Sequence, residues 1–224
     1  MKKMPRFAVI LSGCGRLDGS EIHETVTALL AIDGHGCTYQ CFAPNVNQSN
    51  VMNNLTSQKT DETRNVLVES ARIARGDIKP LSEFNVKEFD CLLLPGGLGA
   101  ITNWCDFNTK GLDCNIEDSI SNTLNTAYKE HLVIGAMCIA PVVLALVLGK
   151  HNIKLTIGND EKVAQNIEKT GAIHINTDVN DACVDDKNLI VTTPAYMLAK
   201  SIKEVFNGAN SMVAQMIKLA TKTK

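Results

Sequence analysis

Gly135-Ala-Met-Cys-Ile-Ala-Pro141 places a thiol where one apolar run, ending at Met137, meets another that begins at Ala140. Small residues at Gly135, Ala136 and Ala140 let the chain fold back sharply, as a nucleophile elbow requires. A thiol at such a corner lies at a helix N-terminus, where the dipole and the free N–H groups stabilise a thiolate. The expectation is therefore a Cys138 pKa below the free value of about 8.5, and a nucleophile near neutral pH. The competing reading is a core cysteine packed in a strand–helix corner, the usual fate of a free thiol.

Three further groups could serve such a nucleophile. Pro95-Gly96-Gly97 follows a buried apolar run. Its backbone N–H groups, with that of Ile139, have the makings of an oxyanion hole, although a simple turn would read the same way. Glu21 and Glu24 lie where the first loop enters the first helix. A carboxyl there is either helix-end charge complementarity or a proton carrier whose pKa is raised by burial beside sulfur. His23, between them, caps, faces solvent or acts. Ser12-Gly13-Cys14-Gly15 forms a glycine loop after the first apolar run, with Cys14 either a resolving thiol for oxidised Cys138 or pocket wall; wall is the expectation. Arg64, Asn65 and Tyr196 are read equally as pocket lining or as packing.

Leu11-Ser-Gly-Cys14 also resembles the end of a lipoprotein signal, and Met1-Lys2-Lys3 suits its charged start. The apolar run Phe7–Leu11 is only five residues, against roughly 7–15 in a signal. No segment approaches the roughly 18 apolar residues of a membrane helix. The loop reading is preferred, with a cytoplasmic location.

The elements that must hold these residues follow from periodicity. Residues 7–12 read as a strand, Glu24 to Ile32 as a helix stopped by Gly34 and Gly36, and Cys37 to Phe42 as a second strand. Residues 45–84 break the rhythm as an insertion, with a helix over Glu62 to Ala74. Cys91 to Leu94, Leu132 to Met137 and Lys154 to Ile157 read as strands, and Ile173 to Asn176 as an edge strand. Ile116 to Glu130, Ala140 to Leu148 and Asp160 to Thr170 read as helices. Ala182 to Asp185 and Leu189 to Thr193 flank a hairpin turn, and Pro194 opens a C-terminal helix broken or kinked near Gly208. Alternating strands and helices give a mainly parallel α/β sheet covered on both faces, in one domain over 1–224. Ligands in such folds bind outside the carboxyl ends of the strands.

The chain has 224 residues, a formal net charge of −2 and 4% aromatic residues. It offers no basic field or stacking platform for nucleic acid and no field for anionic lipid. Its eight cysteines include no Cys-x-x-Cys and no paired spacing for zinc, so no metal is expected. They are read as reduced thiols.

Taken together, several segments resemble the PfpI-like superfamily, relatives of the class I glutamine amidotransferases. They are Ser12-Gly-Cys-Gly, Asp18-Gly-Ser-Glu-Ile-His-Glu24, Cys41-Phe-Ala-Pro44, Glu62-Thr-Arg-Asn-Val-Leu67, Ala71-Arg-Ile-Ala-Arg-Gly76, Leu94-Pro-Gly-Gly97, Met137-Cys-Ile-Ala-Pro141 and Thr192-Thr-Pro-Ala-Tyr-Met197. More specifically, the chain is similar to the ElbB-type glyoxalases, once described as isoprenoid-biosynthesis proteins. The resemblance implies a three-layer flavodoxin-like sandwich and a homodimer. It implies conversion of a small aldehyde, glyoxal, to glycolate without a cofactor, with Cys138 as nucleophile and Glu24 as the acid beside it; Glu21 is the reserve. Many superfamily members carry a histidine after the next strand, which here reads Leu155-Thr-Ile-Gly158, with His151 before it and His174 well after. Amide cleavage needs an acid for the leaving amine, so aldehyde chemistry is favoured over amidotransferase or protease activity. Two other readings stand beside it: a non-catalytic redox or metabolite sensor using Cys138, and a protein deglycase or stress chaperone.

Overall fold

The structure is a computed structural model that describes residues 4–222; Met1-Lys2-Lys3, weighed above as a signal start, lies outside them. The first stretch runs β1 (Arg6–Ile10), α1 (Ile22–Gly34), β2 (Thr38–Ala43), a hairpin of β3 (Val51–Asn53) and β4 (Gln58–Thr60), α2 (Val66–Ile73) and β5 (Ile78–Pro80). Next come β6 (Cys91–Leu94), the one-turn helices α3 (Gly99–Thr102) and α4 (Phe107–Lys110), α5 (Asp118–Lys129), β7 (Val133–Met137) and α6 (Pro141–Leu148). The chain ends with β8 (Lys154–Leu155), α7 (Glu161–Lys169), β9 (Ile173–His174), β10 (Cys183–Asp185), β11 (Ile190–Thr193) and α8 (Ile202–Lys222).

Seven strands form one sheet in the order β10-β11-β7-β6-β1-β2-β5. All neighbours are parallel except β10 and β11, which are the antiparallel hairpin expected around residues 186–188. The central strands are buried on both faces, which is why they read as unbroken aliphatic runs rather than alternating ones. α1 lies along α8, and α8 also covers β6, β7 and β11, while α5 packs on β7 and α6. The fold is the three-layer flavodoxin-like sandwich expected. From β1 the chain steps outward to β2 and β5, then returns to β6 and steps the other way to β7 and β11. The reversal falls between β1 and β6, the place where such sheets bind ligands, and the loops after these two strands are joined by Leu98 N–H to Arg16 O (2.9 Å), Gly99 N–H to Gly19 O (3.0 Å) and Glu21 N–H to Gly96 O (2.9 Å).

Polar side chains anchor those loops. Asn103 Nδ2 donates to the carbonyls of Ser12 and Asp18, both at 2.9 Å. The buried Asp18 carboxylate accepts from Met52 N–H (2.8 Å) and from Asn54 Nδ2 (3.2 Å). The β3–β4 hairpin is thereby fixed to the loop after β1. Trp104, fully buried, donates its indole N–H to Leu11 O at 3.3 Å.

Several elements differ from the sequence reading. The 45–84 stretch contains the hairpin and also β5, a strand at the edge of the main sheet. Its helix starts at Val66, not at residue 62, because Asn65 caps it by accepting from Val68 N–H. β8 and β9 pair with each other in a separate two-stranded parallel sheet. On α1, Val26 and Leu30 face outward at 49% and 55% exposure, while Ala28, Leu29 and Ile32 are buried. Two arcs of that helix are apolar, and spacing alone does not say which one meets α8. Pro194 opens only a single 3-10 turn, Ala195–Met197, and α8 begins at Ile202.

α8 passes through Gly208 without a break. A Cβ on Gly208 would lie 2.7 Å from both Val179 O and Thr193 Oγ1, so this glycine serves close packing. Alanine in an exposed helix would gain about 1 kcal/mol over glycine. Here the overlap with a backbone carbonyl outweighs that gain, and Gly208→Ala is expected to destabilise the protein by about 1–3 kcal/mol in urea melts.

Candidate active site

β7 ends at Met137 and the backbone reverses at Cys138, whose φ is +60°. A non-glycine residue in the left-handed region is strained and needs support from its surroundings. The support is visible: Cys138 N–H donates to Thr193 O at 3.0 Å, and Pro141 opens α6 at a position where a missing N–H costs nothing. The side chain is 9% exposed and lies at the carboxyl ends of β1, β6 and β7.

Glu24 comes to the thiol from the first turn of α1 and is fully buried. Its carboxyl is hydrogen-bonded to the Cys138 thiol. Gly96 N–H donates to Oε2 at 3.0 Å and Tyr196 N–H donates to Oε1 at 3.2 Å. A Cβ on Gly96 would lie 2.5 Å from both Cys138 Cβ and Glu24 Oε2; glycine is required there because the acid and the thiol occupy that space. Gly97, at φ +98°, abuts the Gly19–Glu21 backbone. The N–H groups of Gly97 and Ile139 both favour the Cys138 thiolate. Of the donors expected for an oxyanion hole, Gly97 and Ile139 act on the sulfur, whereas the Gly96 N–H is taken by Glu24.

Burial pushes the Glu24 carboxyl up to about 7, and Glu21 adds repulsion, against the pull of its hydrogen bonds. Burial likewise pushes the Cys138 thiol upward, and the negative charge of Glu24 adds to this. The expected depression of the thiol pKa is thus overturned. The two N–H groups do favour a thiolate, but desolvation and an adjacent carboxylate outweigh them. The physical unit is the pair: near neutral pH it carries at most one negative charge, and sulfur and carboxyl share the remaining proton.

The other sequence candidates fall into place around this pair. Glu21 is the N-cap of α1, its Oε2 accepting from Glu24 N–H at 2.8 Å, while its own N–H donates to Gly96 O at 2.9 Å. It positions Glu24 and the Gly96 turn. Gly13 donates its N–H to Ser70 Oγ at 2.9 Å, which ties the loop after β1 to α2. Cys14 is half-buried, and the charges around it are Glu69, Asp18, Arg72 and Arg64; Glu24 and the Gly97 and Ile139 amides, not Cys14, bear on Cys138. Arg64 pairs with Glu62 and Glu69, and Asn65 caps α2. His151 stacks on Tyr128, and His174 Nε2 accepts from Ile157 N–H at 3.3 Å, so each has its own partner. The residue that sequence reasoning left open was Tyr196. Its amide holds Glu24, Ala195 before it stands at φ +45°, and its hydroxyl meets His23 Nδ1 at 2.7 Å. The signal was Thr192-Thr-Pro-Ala-Tyr196, placed after a buried strand.

No family model matches the chain. Among curated proteins, the human mitochondrial glutamine amidotransferase-like class 1 domain-containing protein 3 is 37% identical over 227 residues, covering 97% of this chain and 84% of its own. The chain belongs to the glutamine amidotransferase-like class 1 family. The mitochondrial ES1 protein homolog of Rattus norvegicus is 35% identical, covering 97% of this chain and 85% of its own. The crystal structure of an isoprenoid biosynthesis protein with an amidotransferase-like domain from Ehrlichia chaffeensis superposes with a TM-score of 0.88 at 37% identity, over 95% of this chain and 99% of that one. Drosophila melanogaster DJ-1beta shares the fold, with a TM-score of 0.54 at 15% identity over 99% of this chain and 97% of its own. The amidotransferase-like resemblance read from the motifs holds. Among the described residues of this amidotransferase-like protein, no helix is long and apolar enough to cross a membrane.

The raised Glu24 pKa links to stability with a definite sign. The folded state keeps this proton longer than the unfolded chain, so stability is lost as pH rises from the ordinary carboxyl value of 4.5 towards 7. Glu24→Gln removes that linkage. Between pH 4.5 and 7 the unfolding free energy of Glu24→Gln relative to wild type is expected to shift by about 3 kcal/mol in favour of the variant, read from denaturant melts at each pH.

Proposed function

We propose that the protein is a glyoxalase that converts glyoxal to glycolate through a hemithioacetal on Cys138. One observation carries the reading: a buried carboxyl bonded to the thiol, with two backbone N–H groups at the same sulfur. This arrangement supplies a nucleophile, a proton carrier and donors for a developing oxyanion.

The Cys138 thiol adds across one carbonyl of glyoxal, sulfur to carbon and proton to oxygen. Glu24 removes the hydrogen on that carbon as a proton and returns it to the neighbouring carbon. The hemithioacetal becomes, through an enediol, the thioester of glycolic acid. Water then cleaves the carbon–sulfur bond, releasing glycolate and restoring the thiol. One substrate carbon is oxidised and the other reduced, so no external electron carrier enters the balance. Glu24 suits both directions of proton transfer because its pKa lies near 7. A cytoplasmic location and a homodimer, the state the resemblance implies, belong to this proposal.

Purified wild type is expected to form glycolate from glyoxal catalytically, followed by proton NMR. Cys138→Ala should abolish turnover. Glu24→Gln should lower kcat/KM by roughly 10²–10⁴-fold, the range of a lost acid–base group. In wild type, kcat/KM should rise with pH through about 7 as the pair loses its first proton, and in Glu24→Gln that rise should move to alkaline pH. Stoichiometric modification of Cys138 without turnover would instead establish the sensor.

A further inference from the structure

The loop between α3 and α5 contains two cysteines outside the active site. Cys105 is buried and donates its thiol to Ala100 O at 3.6 Å, Cys114 is half-exposed, and each thiol lies close enough to act on the other. The backbone holds them there. Cys105 pairs with Ile116 in an antiparallel bridge, and around it Asp106 N–H donates to Asn115 O (3.1 Å) and Glu117 N–H to Trp104 O (2.8 Å). Asn115 N–H in turn donates to Asp106 Oδ1 at 2.6 Å. In an antiparallel pair, a residue two positions from the direct partner lies on the same face as the residue it flanks diagonally. Cys114 is two positions before Ile116 and so shares a face with Cys105. The other half-exposed thiol, Cys14, has charged side chains around it.

We propose that Cys105 and Cys114 form a reversible disulfide by exchange with a low-molecular-weight disulfide such as oxidised glutathione. Cys114, the accessible member, loses its proton and attacks one sulfur of the reagent, giving a mixed disulfide and one free thiol. Cys105 then loses its proton and attacks the Cys114 sulfur, expelling the second free thiol. The protein dithiol is oxidised by two electrons, the reagent is reduced by two, and the two protons leave on the two small thiols. Closure joins the ends of the segment carrying Phe107 and Leu112, which pack beside Val142 and Leu146 of α6. The modification thus sits behind the helix that follows the nucleophile, and it is independent of the proposed reaction.

The test uses the full chain in mixtures of oxidised and reduced glutathione, with free thiols then alkylated under denaturing conditions and the intact mass measured. Fully reduced protein takes eight alkyl groups. Oxidised protein is expected to take six, and to regain eight after treatment with reduced glutathione. Trypsin cuts after Lys110, between the two cysteines, so the bridge appears as two linked peptides that separate on reduction. Cys114→Ser, a change at a half-exposed position, should keep seven alkylated cysteines under the same oxidation. Cys105→Ser should accumulate a glutathione adduct on Cys114. Eight alkylated cysteines in wild type at every oxidising mixture, or a bridge mapped to any other pair, would overturn the proposal.

Discussion

A carboxyl and a thiol in direct contact, both removed from water, constrain everything else at the carboxyl ends of the central strands. Neither group can ionise freely beside the other, so the space around them is shaped to hold one charge and one proton. Backbone N–H groups supply most of the polar partners: Gly96 and Tyr196 for the oxygens, Gly97 and Ile139 for sulfur. Backbone donors bring no charge and need no side-chain ordering. They stabilise an anion without forcing it to one atom, which leaves the proton mobile within the pair.

The scaffold carries this constraint through its topology. The reversal between β1 and β6 gathers the strand ends where the pair lies, and the first turn of α1 delivers Glu24 to it. Glu21 then fixes the start of that helix and the Gly96 turn together. Gly96 and Gly97 lack side chains for two different reasons: the first would strike the thiol–carboxyl pair and the second would strike the Gly19–Glu21 backbone. Asp18 and Asn103 hold the loop after β1 in place through satisfied hydrogen bonds. No buried side-chain polar atom among the described residues lacks a partner.

Much of this was legible in the sequence, for identifiable reasons. Parallel central strands buried on both faces announce themselves as aliphatic runs, and the turns that end them are rich in glycine and proline. That combination was enough to find Cys138, Gly96, Gly97 and Glu24. What escaped depends on tertiary contact. β5 is three residues long and gains its identity only by pairing with β2. Gly208 looks like a helix stop until Val179 is seen beside it. The direction of the Cys138 pKa was misjudged because the dipole is a local property, while desolvation and the approach of Glu24 come from residues more than a hundred positions away. Tyr196 was ambiguous because it acts through its amide, which side-chain chemistry does not reveal.

The turn after β11 also touches both members of the pair. Thr193 O receives the Cys138 N–H, and Tyr196 N–H reaches Glu24. One short segment, stiffened by Pro194, therefore works as a gauge block that sets the separation of the Cys138 thiol and the Glu24 carboxyl, although those two residues lie more than a hundred positions apart in the chain. Side chains within it can vary as long as the backbone path is kept. Its length cannot, because a residue added or removed there would displace both members at once and leave no independent adjustment for either.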